Sequence, residues 1–331
     1  MRRLLATLAV CVLGCSAAAP APSSPTPPSA PVLPPPQSSE WLTSLDREHP
    51  LVGKVWDVNA QAFVAPTLVV PKLAAAKVVL LGERHDNPDH HRLQGAVISE
   101  LVKAGRKPTV VLEMIEVELQ PIIDAYLQNP NATAAGFGAA VAWEKTSWPP
   151  FREYQPVLDA AFAGKLPIAA GNVSQSDAKA LVKQGISAFP AERVAALRLD
   201  RAFPNELEQA LLGELRASHC GHLPDKYLAP MALAQHARDA QLAQVLARAG
   251  AKDGAVLIAG TGHARGDRGV PYYLKLEAPD SSVMSLAFRE VQSGQEEPTA
   301  YTANEGPFDF VWFTPRASDE DPCAAFAPKS K

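Results

Sequence analysis

Apolar positions along the chain fall into two periods. Four short, nearly continuous runs stand out: VVLL at 78–81, TVVL at 109–112, LPIAA at 166–170 and AVLIA at 255–259. Runs of this length, closed by a glycine or an acidic residue, mark strands buried on both faces of a parallel sheet. Elsewhere the spacing is helical. Asn87 followed by Pro88 is an N-cap with proline at the first helical position; Leu93, Val97 and Leu101 make one apolar stripe, and Gly105 is a stop. Further helical patterns cover 116–127, 156–163, 192–199, 206–215 and 231–249, the last closed by Gly250. Residues 53–63 alternate about the turn residue Asn59 and predict an N-terminal β-hairpin. Residues 282–289 and 308–313 are strand-like and predicted to extend the sheet at its edge. Between 171 and 254 no strand pattern occurs, an excursion longer than a simple crossover needs. The predicted fold is therefore α/β: a mainly parallel central sheet flanked by helices, with a helical cap inserted over 171–254.

The polar residues that end the strand runs supply the chemistry. Glu83, Arg84 and His85 follow the first run, Glu113 the second, Asn172 the third, and Gly260-Thr261-Gly262-His263 the fourth. If the runs pair in parallel, these ends share the sheet edge at which open α/β folds place ligands. Glu83, His85, Glu113, Asn172 and His263 are thus predicted to converge on one crevice. Mixed imidazole and carboxylate donors suit a transition metal or a proton-transfer pair better than magnesium. In the metal reading His85, Glu113 and His263 hold a divalent transition metal. In the metal-free reading Glu83 and His85 are a catalytic pair with His85 as general base. His90 and His91 fall in a first helical turn, whose positive end favours the neutral, ligating form. Arg238-Asp239, within the 231–249 pattern, is expected to be a buried ion pair tying the cap to the core. In His219-Cys220-Gly221-His222 a zinc reading lacks a second ligand pair, so packing or contact with a cofactor edge is preferred.

The ends of the chain have a different composition. Arg2 and Arg3 precede an apolar stretch at 4–13 that is too short to span a bilayer, so 1–14 reads as an export signal. Val12-Leu13-Gly14-Cys15 resembles a bacterial lipobox, with Cys15 as the lipidated first residue of the mature chain. Residues 15–40 are rich in proline and form an extended tether. The domain is assigned to 41–316, and the polar tail at 317–331 is expected to be mobile. With 31 Lys and Arg against 35 Asp and Glu the chain is acidic, and more so without Arg2 and Arg3. That argues against nucleic acid as a partner and leaves membrane contact to the anchor. Cys220 and Cys323 remain, either as a pair or as two free thiols.

GERHDNPDHH, VVLEM and AGTGHARGDRGVPYYL together resemble the ChaN-type haem-binding lipoprotein family, grouped with TraB/Tiki and erythromycin-esterase-like proteins that carry two G-x-x-H motifs. The likeness spans about 51–274 and includes WPPFREYQP, AAGNV, HCGHLP and QHARDAQLA. It implies a lipid-anchored protein of the bacterial cell envelope, at the outer membrane rather than the inner, that binds haem for haem or iron uptake, with a homodimer as one possible assembly. The implied cofactor residues are Tyr154, Tyr227, His85, His90 and His263 as axial-ligand candidates, and Arg265 and Arg268 for the propionates. No C-x-x-C-H occurs, so the haem is expected to be held non-covalently. The alternative implied by the wider relatives is a metal- or histidine-dependent hydrolase acting through Glu83 and His85.

Overall fold

The apolar runs pair as their period demands. The computed structural model describes residues 41–303, 306–321 and 323; the leader, Cys15, the whole of the tether and most of the tail lie outside the described residues. Eight strands form one sheet: β1 Val55–Asp57, β2 Ala62–Val64, β3 Val78–Glu83, β4 Thr109–Glu116, β5 Ile168–Asn172, β6 Ala255–Gly260, β7 Val283–Glu290 and β8 Phe310–Thr314, in the order β2-β1-β8-β7-β3-β6-β4-β5. From β8 to β5 every pairing is parallel, while β1 pairs antiparallel with both β2 and β8. The hairpin is therefore present. It takes the edge predicted for residues 282–289 and 308–313, and these become interior parallel strands instead. Their aromatic content fits that place, since Phe288, Phe310, Trp312 and Phe313 are all fully buried.

Alternation along the central strands assigns a face to each side chain. Val79 and Leu81 pack with Val110, Leu112, Val256 and Ile258 against the helices Pro88–Lys103 and Phe151–Ala163. Val78 and Leu80 pack with Val111, Ala255 and Leu257 against Leu228–Gly250 and Val270–Glu277. Every residue of β3 and β6 is buried, which explains why their sequences are continuously apolar rather than alternating. Asn87 caps the first of these helices through its side chain, which accepts from the Asp89 backbone N–H at 3.0 Å, and Gly105 beyond its end takes the left-handed φ of +83°. The 151–163 helix begins five residues earlier than its pattern suggested, with Pro156 inside it.

Residues 173–254 are helical, and the last and longest helix, Leu228–Gly250, lines the crevice with Gln235 and Arg238. It carries Ala237, Ala240, Leu242 and Leu246 into the core beneath the sheet, because its small and apolar residues make a stripe that water would otherwise wet. In β4 the alternation breaks. The register with β5 shifts between Leu112 and Glu116, and the consecutive residues Met114 and Ile115 both join one core. This is the behaviour of a bulge, and it lies at the strand end that bears Glu113.

Candidate functional site

The parallel strand ends open onto one crevice of about 880 Å³, lined by His85 just beyond β3, Glu113 from β4, Asn172 from β5 and His263 just beyond β6. The predicted convergence therefore holds, with Glu83 lying beneath the floor. Glu83 shares the face of Val79 and Leu81, so it is met by side chains from the two helices on that side. The Tyr154 hydroxyl donates to Glu83 Oε1 at 2.6 Å, and His85 Nδ1 bonds the same oxygen at 2.9 Å. His91 Nε2 stands 3.4 Å from Glu83 Oε2, with its ring stacked on Tyr154. Burial opposes ionisation of Glu83, but the His91 and His85 imidazoles outweigh it and hold the carboxyl well below its usual range. An ionised Glu83 accepts only, so His85 carries its proton on Nδ1 and turns a bare Nε2 to the crevice in its neutral form. Burial would depress His85; the bond to Glu83 and the charge of Glu113 overcome this and raise its pKa. The edge of Trp148 steadies the ring at 4.8 Å.

The opposite half of the site belongs to the other face. His263 Nδ1 lies 2.6 Å from Asp239 Oδ1, and His263 Nε2 lies 3.2 Å from Glu113 Oε1. Glu113 Oε2 accepts from the Gly260 backbone N–H at 2.8 Å. Burial works against the His263 cation, but the two carboxylates push its pKa up to about 10, and burial of Glu113 is outweighed by the His263 charge, which brings it down to about 2. The imidazolium is thus clamped between two carboxylates. Gly260 leaves room for the ring: a Cβ on it would come within 2.9 Å of His85 Nε2.

Three participants have partners that the sequence reading did not assign to them. Asp239 was expected to pair with Arg238, yet it serves His263, and Arg238 instead lines the crevice. Tyr154 and His91 enter as partners of Glu83. The only signal in the sequence was the helical spacing that puts Gln235, Arg238 and Asp239 on neighbouring faces one turn apart, which does not say what they face. The metal reading fails on donor geometry. His263 has both nitrogens committed, His85 Nδ1 is turned to Glu83, and among the described residues no three His, Cys, Asp or Glu side chains are arranged to hold a metal ion.

A family model described as haem-binding uptake, Tiki superfamily, ChaN matches residues 69–274. The chain belongs to the ChaN family. Among solved structures, ChaN of Campylobacter jejuni, described with cofacial haem binding, is similar at 21% identity and a TM-score of 0.64, over 78% of this chain and 95% of that one. The type III effector HopBA1 follows at 11% identity and a TM-score of 0.37, over 75% and 92% of the two chains. Erythromycin esterase EreC, in its open conformation, follows at 14% and 0.40, over 68% and 73%. No curated protein matches the chain in sequence.

Within this ChaN-family fold the candidate haem residues separate clearly. Tyr154 is fully buried, and burial together with the charge of Glu83 raises its pKa far above the ordinary value, so its phenol is a fixed donor. His90 is buried with both nitrogens in use: Nδ1 accepts from the Arg84 backbone N–H at 2.9 Å, which leaves Nε2–H to donate to Thr314 Oγ1 at 2.9 Å. Arg265 and Arg268, expected to face propionates, are buried and held by Glu214, with Asp267 also on Arg265; neighbouring carboxylates neutralise them. Two candidate ligand atoms remain open, His85 Nε2 in the crevice and the hydroxyl of Tyr227, a residue 42% exposed in the turn Asp225–Tyr227. That turn is held from upstream. Cys220 forms a disulfide with Cys323, at a Cα separation of 5.6 Å, so the tail is tied back at this point.

Proposed function

We propose that the protein binds haem non-covalently through Tyr227 and serves haem or iron uptake from a lipid anchor at Cys15 in the cell envelope, at the outer membrane. The observation that carries this is the exposure of Tyr227 in a chain of a haem-binding uptake family. The donor set fits the group: when bound, ferric haem takes an anionic oxygen ligand that favours its oxidised state, and Tyr227 is an exposed phenol with the Lys226 ammonium 5.0 Å from its ring centroid. Cofacial haem binding, as described for the Campylobacter protein, requires a ligand on an open face rather than at the floor of a crevice. Tyr227 satisfies that condition and His85 does not. The same geometry favours a homodimer in which two protomers bring their haems together. Chain features support the envelope address: the lipobox-like Val12-Leu13-Gly14-Cys15, the proline-rich tether and the disulfide, which belongs in an oxidising compartment. No described helix is long and apolar enough to cross a membrane.

Haemin titration tests the proposal. The wild-type protein is expected to give a saturable Soret change at micromolar haemin, Tyr227→Phe to lose the tyrosinate charge-transfer band, and Tyr227→His to replace it with an imidazole spectrum. A wild-type Soret that never saturates rejects haem binding; an unchanged Tyr227→Phe spectrum rejects the ligand.

A further inference from the structure

The crevice itself is left without a role by haem bound at Tyr227, which does not line it. Its polar groups are arranged for a ligand of a different kind. Arg238, half-buried on the Leu228–Gly250 helix, and Lys145, exposed on the opposite wall, both line it. Neither has a carboxylate partner among the described residues, whereas the neighbouring Asp239 and Glu113 are taken by His263 and Glu116 accepts from the Gln175 backbone N–H. Two cations that line the crevice without a direct carboxylate partner favour an anion there, and guanidinium in particular matches a carboxylate or phosphate through two parallel bonds.

Acceptors stand beside the cations. Asn172 is 2% exposed; its Nδ2 donates to the Glu113 carbonyl at 2.9 Å, while its Oδ1 is buried and without a hydrogen-bond partner. An unpartnered buried acceptor costs free energy unless a donor reaches it. His85 Nε2, the acceptor nitrogen of the neutral ring when Nδ1–H bonds Glu83, is a second. Donors that satisfy these two atoms while an anion meets Arg238 and Lys145 are hydroxyl groups on the same molecule. Met114, Leu119, Trp148 and Val173 give the remaining wall an apolar surface, suited to a short carbon backbone.

We propose that the crevice is a second binding site, separate from the haem ligand, for a small hydroxylated organic anion, with Arg238 and Lys145 holding its carboxylate or phosphate and Asn172 Oδ1 and His85 Nε2 accepting from its hydroxyl groups. Both sources of the anion are tested on the purified full chain by calorimetric titration with gluconate and with glucose 6-phosphate, beside adipate, which lacks the hydroxyls, and glucose, which lacks the charge. Saturable binding of at least one of the two hydroxylated anions is expected, with adipate and glucose each weaker by about tenfold or more, the loss of one charge-assisted or buried hydrogen-bond set. The better anion of the pair tells carboxylate from phosphate. Arg238→Ala and the surface variant Lys145→Ala, both with unchanged near-ultraviolet circular dichroism, are expected to weaken binding by about tenfold while leaving the haemin Soret titration intact. His85→Gln is expected to abolish the preference over adipate. The proposal is overturned if neither anion gives saturable heat at millimolar concentration, if Arg238→Ala and Lys145→Ala bind as wild type, or if haemin displaces the anion, which would make the crevice part of the haem site.

Discussion

Glu83 holds three side chains with one carboxylate, and its removal should be felt in all of them. Glu83→Gln replaces an acceptor of the Tyr154 hydroxyl and His85 Nδ1 by an amide that supplies unwanted donors. Breaking one member of a buried charged network costs about 3 kcal/mol, to be read from urea unfolding. The His85 pKa should fall in an NMR titration, because its bond to Glu83 is a main cause of its elevation. His263 makes a separate prediction. Its folded pKa of about 10 lies above the ordinary 6.5, so the folded state keeps a proton that the unfolded chain releases. That stabilisation is whole below pH 6.5 and disappears as pH rises through 10. Glu113 is the mirror case: at about 2 against an ordinary 4.5, its stabilisation is whole above pH 4.5 and is lost as pH falls through 2. Unfolding free energy measured at stepped pH should decline between 6.5 and 10 by up to about 1.4 kcal/mol per unit. His263→Gln should flatten that slope; if the slope persists in the variant, the clamp between Glu113 and Asp239 is not its source.

At the scale of elements, two glycines set how closely neighbours approach. Gly95 on the Pro88–Lys103 helix faces the Phe151–Ala163 helix, and a Cβ there would lie 2.5 Å from the Pro156 carbonyl oxygen. Backbone cannot yield as a side chain does, so Gly95→Ala should cost about 2 kcal/mol by overpacking, measured by thermal or urea unfolding. Gly260→Ala differs in kind. Gly260 has a φ of −58° that alanine accepts, and what the new methyl meets is the His85 side chain rather than backbone. It should leave stability within about 1 kcal/mol of wild type while shifting the His85 ring signals by NMR. The elements themselves were legible in the sequence wherever one local rule governed: buried strands at 78–81 and 255–259, the Asn87-Pro88 cap and the Gly105 stop. The site was legible as far as strand ends reach. Asp239, Tyr154 and His91 were not, because a helical period says which residues share a face and not which distant carboxylate or imidazole that face meets. Arg265 and Arg268 were misjudged for the same reason, since Glu214, which holds them, comes from a helix some fifty residues upstream.

At the scale of the whole molecule the sheet brings the C-terminal ends of six parallel strands to one edge, and the disulfide joins two further segments. A crosslink spanning 103 residues removes much of the freedom of the unfolded chain, a contribution of about 4 kcal/mol in the loop-entropy account. Cys323→Ser should lower unfolding free energy by an amount of that order without altering the crevice, and Cys15→Ser should release the protein from the membrane fraction. Cys220 precedes Tyr227 by only seven residues, and this gives the crosslink a meaning beyond stability. With the cysteines reduced, the segment bearing the phenol is a plain connector between the helices Asn205–Ser218 and Leu228–Gly250; with the disulfide formed, it is also fastened to the tail at Cys323. Haemin affinity measured before and after treatment with reductant should therefore differ, tighter in the oxidised protein; under the envelope address proposed above, that would make a chain still awaiting export a weaker scavenger of the haem of the cell that makes it.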